Sequence, residues 1–444
     1  MTMDSLSRQP AEAPLVESET ERRAVRRTAL HLMWFLVLLY VLNSVDRTNV
    51  GFAALTMNQA VGLTSQTFGV AVGIFYLGYL FCEIPSNILL ARQGARRSIA
   101  RMAVTSGLVT MLTALVQGPL SFYLLRFLLG VTEAGYLVGI VLYLSYWFPA
   151  RYRARYNALF MLSMPVAFSI SGATAGFILG FNGDLGLAGW QWLFLLEGAP
   201  AVIVGLVALR YLDDRPRDAA WLTPEEAQAL EDAIARDYPV RPRHLKPMEM
   251  LGELPKLLRD PVVMSCGMIY LALNFGLLSL TSWTPSVIRT FGLPVREASF
   301  LTMVVPLIAA VAMVLWGRFS DRGEERIGNT TFSLLLAAAG WALAASAQNP
   351  AIVFVGFVLA AIGVYATYAI SFTIPQTYVE PASRPVAIAL IGVIGNVGGV
   401  FVPMIIGYIR TATGSFSMGF LLIAAVMAMA AFTTYRLKGI VRRR

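Results

Sequence analysis

The stretch YVLNSVDRTNVGF, residues 40–52, sets Asp46 and Arg47 side by side. The run before them, Ala29 to Val45, is interrupted by polar residues only at His31, Asn43 and Ser44. An ionisable group at membrane depth costs roughly 2.5–3.5 kcal/mol on insertion scales. A charge pair kept there faces a protein interior or a water-filled cavity.

The rest of the chain supports reading this run as a membrane span. Of 444 residues, 57% are hydrophobic and 14% charged, with a mean hydropathy of +0.64; soluble proteins carry about 25% charged residues. Apolar stretches fall near 30–52, 67–90, 99–116, 120–148, 156–181, 190–211, 261–288, 299–317, 330–347, 351–373, 386–409 and 416–435. Most reach the roughly 20 residues that a bilayer helix needs. The expected fold is therefore an all-α polytopic membrane protein of twelve transmembrane helices. The two cysteines, Cys82 and Cys266, lie in apolar runs and suggest neither a disulfide framework nor a zinc site.

The net charge of +9 is a topology signal and not a nucleic-acid footprint. With loops assigned alternately to two sides, Arg289, Arg296 and Arg410 fall on one side, and Arg47 and Arg126 lie inside helices. All other basic residues share the opposite side, which places both termini in the cytoplasm. No signal-peptide cleavage pattern is present. Arginine far outnumbers lysine (Lys246, Lys256 and Lys438 only), which fits a GC-rich bacterial genome and hence an inner-membrane location.

Five regions follow: a flexible N-terminus (1–28), a six-helix bundle (29–211), a cytoplasmic linker (212–260), a second six-helix bundle (261–436) and a basic tail (437–444). Thr223, Pro224 and Glu226 in the linker form a capping-box pattern for a short helix. The halves repeat at an offset of about 230 residues. Arg92 in NILLARQGARRS aligns with Arg322 in GRFSDRGEERIG, and Gly172, Gly176 and Gly180 align with Gly395, Gly399, Pro403 and Gly407. Small residues every fourth position let helices pack closely in lipid. Repeated halves with a site between them are a transporter architecture.

Five stretches carry a family resemblance: VDRTNVGFAALTMN (45–58), CEIPSNILLARQGARR (82–97), RFLLGVTEAGYLVGIVLYLSYWFPARYRAR (126–155), GWQWLFLLEGAP (189–200) and GNVGGVFVPMIIGYI (395–409). They resemble the major facilitator superfamily and, within it, the anion:cation symporter family, which includes tartrate, phthalate, nicotinate and 4-hydroxyphenylacetate permeases. The superfamily's turn motif implies gating roles for Arg92, Gly94, Arg96, Asp321 and Arg322. The first copy departs from it, with Asn87 and Ala91 at its Gly and Asp positions. Gly392 and Phe372 also depart from the family pattern, where substrate contacts are expected.

Four ionisable residues lie inside the first half. Arg126, Gly130 and Glu133 share one helix face, but Arg126 and Glu133 stand roughly 10 Å apart along the axis. Each therefore needs another partner, and Arg47 and Asp46 have the complementary signs. One reading is a static network locking the first helix to the fourth. The other is that Arg47 and Arg126 receive an anion while Asp46 and Glu133 exchange protons. Arginine's planar fork matches a carboxylate. The resemblance implies that Arg47 contacts the anion and Glu133 couples protons. Glu83 and Glu197 read as structural, with a place in coupling left open.

The pocket is expected to add Tyr79, Phe275, Trp283, Tyr365, Tyr368 and Phe372, an aromatic wall suited to an aromatic or short organic acid. The chain holds two histidines, His31 and His244, and shows no nucleophile motif and no nucleotide loop, so it reads as a non-enzyme without a cofactor. The expected function is import of a small organic anion with protons by alternating access, in a protein working as a monomer. An exchanger or uniporter, and a non-transporting sensor, are the competing readings.

Overall fold

A computed structural model describes residues 18–237, 254–323, 325–371, 373–380 and 383–441. Helices and connecting turns account for all regular structure among the described residues. Twelve helices are long and apolar enough to cross a membrane. In the first half these are α1 (Glu19–Ala60), α2 (Ser65–Leu90), α3 (Ala95–Leu115), α4 (Pro119–Trp147), α5 (Ala150–Phe181) and α6 (Gly189–Tyr211). In the second they are α7 (Pro261–Arg289), α8 (Val295–Ser320), α9 (Arg326–Ser346), α10 (Pro350–Tyr378), α11 (Val386–Thr413) and α12 (Ser417–Val441).

The first helix begins well before the apolar run. Ser18 caps it by accepting from the Glu21 N–H at 3.1 Å, so the chain enters the bundle already helical. The linker helix Pro224–Asp237 has both bonds of a capping box: Glu226 N–H to Thr223 Oγ1 at 3.2 Å and Thr223 N–H to Glu226 Oε2 at 3.0 Å. It is tied to the first half by ion pairs. Arg27 meets Glu226 at 2.9 Å, while Glu21 holds Arg236 at 2.9 Å and Arg151 at 2.6 Å.

The two small-residue stripes do matching work. Gly172 and Gly176 of α5 lie against Met303 and Phe300 of α8, and Gly399 and Gly407 of α11 lie against Tyr76 and Ser65 of α2. Exchanging the halves turns one contact into the other, as a duplicated unit requires. Gly180, the third position of the first stripe, has open space around it.

Let the end of the bundle where α1 starts at Glu19 and α12 stops at Val441 be the terminal face, and the opposite end the far face. The halves meet at and beyond the mid-plane on the far-face side. Phe68 packs on Trp283 at 5.2 Å and Phe177 on Phe300 at 5.0 Å. The Gln66 N–H donates to Thr411 Oγ1 at 3.0 Å, and Gly51 lies against the Thr281–Ser282 backbone. The far face is thus the closed one.

Candidate functional site

The site is built where α4 breaks. Its first segment ends at Glu133, Ala134 is extended, and Gly135 turns left-handed at φ 83° before the helix resumes at Tyr136. A β-carbon at Gly135 would also press on Asn87 Oδ1 at 3.0 Å, so glycine fits on both counts. The break leaves the last carbonyls of the first segment without intrahelical partners, and such a helix end favours a cation. One turn earlier, Gly130 lies so close to α2 that a β-carbon would run into the Phe75 carbonyl. That approach carries Arg126 and Glu133 to Phe75 and Arg47.

Between the halves lies a cavity of about 60 Å³. On this measure a water needs roughly 10–15 Å³, so it holds a few water molecules. Arg47, Ser44 and Thr48 of α1 line it, as do Phe75 and Tyr76 of α2 and Arg126 of α4. Tyr40, Met164 and Phe168 close the first-half side, and Leu277, Thr281, Ser282 and Tyr365 the other.

Arg47 and Glu133 form the central pair. Arg47 Nε donates to Glu133 Oε2 at 2.5 Å, with Glu133 wholly buried and the Arg47 side chain 20% exposed toward the cavity. The Arg47 guanidinium lies 5.2 Å from the Tyr79 ring centre and 5.6 Å from that of Phe75. Arg126 sits 5.0 Å from the same Phe75 ring. One aromatic ring thus serves two cations, each attracted by the ring quadrupole. Among the described residues no carboxylate lies within ion-pair distance of Arg126, whose Nε is buried without a partner. Of the static network that is one of the two readings of the sequence, only half is formed among the described residues: Arg47 is paired and Arg126 is not.

Asp46, expected with Glu133 to exchange protons, does not reach the cavity that Arg47 lines. It is 1% exposed, is absent from the cavity wall, faces Thr110 of α3, and among the described residues closes no hydrogen bond at either oxygen. Neighbouring helix residues point about 100° apart, a consequence of 3.6 residues per turn. Once Arg47 faces the cavity, Asp46 must look into the first bundle, where α1 packs on α3, α5 and α6.

Of the aromatic residues expected at the pocket, Tyr365 lines it and Tyr79 lies beneath Arg47. Phe275 packs beside Gly398, and Tyr368 is buried off the cavity wall. Trp283 sits in the far-face closure, between Phe68 and Phe416. A period-3.6 pattern locates a face but not the depth at which helices cross. Phe372 lies outside the described residues. Phe75 was missed, although its i, i+4 spacing to Tyr79 placed both on one face of α2.

At the terminal-face turn, Gly94 ends the second helix at φ 86°. The Arg96 N–H donates to Asp214 Oδ1 at 3.1 Å, so the linker residue Asp214 caps α3. Arg92 is exposed. Asp321 and Arg322 continue the helix of α8 to Gly323, with side chains outside the described set. Beside the turn, burial raises the Asp213 carboxyl above its usual range, while the Trp221 N–H opposes the rise.

Two six-helix halves closed at one face over a central cavity with buried arginines define a multi-pass membrane transporter. The family model described as Major Facilitator Superfamily matches residues 36–403, and the chain belongs to that superfamily. It is 41% identical over 420 residues, covering 95% of this chain and 92% of the relative, to a putative tartrate transporter of Agrobacterium vitis. It is 34% identical to a quinolone resistance transporter of Acinetobacter baumannii, covering 94% and 95%. Among solved structures, the D-xylose-proton symporter matches with a TM-score of 0.73 at 15% identity, covering 91% of this chain and 97% of that one. The protein is a transporter of small organic substrates and not an enzyme.

Proposed function

We propose that this chain, an anion:cation symporter, imports a small organic anion with protons across a bacterial inner membrane by alternating access, its terminal face being cytoplasmic. The observation that carries the reading is the buried Arg47–Glu133 pair beside an unpaired Arg126, all at one cavity. A carboxylate bound in that cavity can take from Arg47 the place that Glu133 holds. It can do so only when Glu133 is neutral, because two anions compete for one guanidinium. Protonation of Glu133 therefore prepares the site, and Arg126 supplies a second anchor. Relatives named for tartrate, a molecule with two carboxylates, suit two arginines.

In the cycle, Glu133 takes a proton from the periplasm and releases Arg47, and the anion binds between the arginines. The halves then rock about the site. At the cytoplasmic face the anion leaves, Glu133 gives up its proton, and the Arg47–Glu133 pair re-forms. The empty carrier returns with that pair neutralised. Arg92, Gly94, Arg96, Asp321 and Arg322 belong to the turns that move against one another, and one copy of the chain suffices.

The test records external pH in weakly buffered, de-energised cells after pulses of 4-hydroxyphenylacetate, nicotinate, phthalate, tartrate and galactonate. Alkalinisation with one acid, lost in Glu133→Gln, is the expected result. Entry of radiolabelled acid with no pH change overturns proton coupling in favour of exchange or uniport. Entry of no acid overturns the arginine site.

A further inference from the structure

Behind Arg47, a polar seam runs through the first bundle on the side of α1 turned away from the cavity. Asn43, Asp46 and Asn49 follow one another at three-residue intervals along α1, with Thr110 on α3 and Glu197 on α6 facing them. All five are 5% exposed or less, and among the described residues each has at least one polar atom without a partner. Glu197 accepts from Thr174 Oγ1 at 2.5 Å through Oε1, while its Oε2 has no partner. Neither Asp46 nor Glu197 has an ion-pair partner among the described residues.

Resting on the symport reading above, we propose that this seam holds ordered water and that Glu197 is a proton-carrying group, exchanging protons through that water with Asp46 and, by way of water held at Asn43, with Glu133. Three features lead there. Buried polar groups almost always find partners, and the exceptions call for water or an ion. Asn43 faces Glu133 and Asn49 faces Glu197, yet among the described residues neither amide closes a hydrogen bond at its oxygen or its NH2 group. A bound cation satisfies only oxygens, whereas water satisfies both, so water is the occupant. Two buried carboxyls lacking a cation within ion-pair distance are most cheaply held with protons on them.

The neighbours of Glu197 are few. Asn49 faces it from α1, with Asp46 one turn further along, and Thr174 faces it from α5. From α3, Gly107 packs against Gly198, which adjoins Glu197. Glu197 acts electrostatically on Asp46, which also feels Glu133 and, more weakly, Arg126, and no Lys, Arg or His acts on Glu197 among the described residues. The chain of groups is thus Glu133, Asn43, Asp46, Asn49 and Glu197. It ends nearer the far face than the cavity pair and lies outside the substrate route.

The experiment is infrared difference spectroscopy of the full-length protein in liposomes, following the protonated-carboxyl C=O stretch and its shift on H/D exchange. No substrate is needed. At neutral pH, Glu197→Gln removes one component of that band, and Glu197→Asp retains it at a shifted frequency in a protein that still folds. Asn49→Leu breaks the water seam, and exchange of the Glu197 component slows at least tenfold. Two results overturn the proposal: a band unchanged in Glu197→Gln, meaning that Glu197 is ionised, or an exchange rate unchanged in Asn49→Leu. The pH-pulse assay reads a different quantity, so failure of symport and failure of the seam are told apart.

Discussion

Replacing Glu133 by Gln removes the group that competes with substrate for Arg47, and the size of the effect follows from the geometry. The pair is a charged hydrogen bond at 2.5 Å with its acid fully buried. Hydrogen bonds to charged groups contribute about 1.5–3 kcal/mol net. The full cost of breaking a buried pair, about 3–5 kcal/mol, is an upper limit, because Arg47 opens onto the cavity. A carboxylate ligand that no longer has to displace Glu133 gains that 1.5–3 kcal/mol. At 1.4 kcal/mol per decade this tightens Kd by about tenfold to about a hundredfold. The gain is largest at high pH, where wild-type Glu133 is ionised, and vanishes at low pH, where Glu133 is protonated in any case. Binding is read by ligand-induced thermal shift of purified protein across a pH series. Wild type weakens as pH rises, and Glu133→Gln stays flat. Equal or weaker binding by the variant at high pH refutes the competition argument.

Arg126→Gln should abolish uptake while moving Tm by only a few degrees, because no ion pair among the described residues is lost; thermal unfolding alongside uptake checks both halves of that statement. Gly130→Ala should destabilise by about 1–3 kcal/mol, since the clash with the Phe75 carbonyl outweighs the ~1 kcal/mol gain in helix propensity; Tm in detergent measures it. Thr223→Ala should fray the linker helix by about 1 kcal/mol, seen as faster amide exchange over 224–237. The backbone N–H of Thr223, then Arg27, holds the Glu226 carboxyl below its usual range. Its stabilising share is therefore present above the ordinary carboxylate pKa and lost as pH falls through the lowered value, so exchange should quicken there. Cysteines at Gln66 and Thr411, joined by a short bifunctional methanethiosulfonate that forms a disulfide at each end, should hold the far face shut and stop transport, with activity restored on reduction.

Much of this molecule was legible along the chain, because a bilayer imposes one-dimensional rules. Every backbone polar group must be satisfied within its own segment, so length and apolarity alone mark the spans, and twelve helices follow. The glycine stripes carried the repeat, since close packing in lipid needs small residues at fixed spacing. Thr223 and Glu226 carried their cap, a purely local device. The pairing of Arg47 with Glu133 was legible as a need, from the separation of Arg126 and Glu133, but not as a fact. The fold decided the rest. It turned Asp46 away from the cavity that Arg47 faces, placed Trp283 in the far-face closure, and brought Phe75 under two arginines. It also set Glu197 beside Asp46 across 151 positions of chain. Helical periodicity fixes which residues share a face. Which neighbour that face meets, and at what depth, depends on how six helices cross one another, and that is settled only when all of them pack.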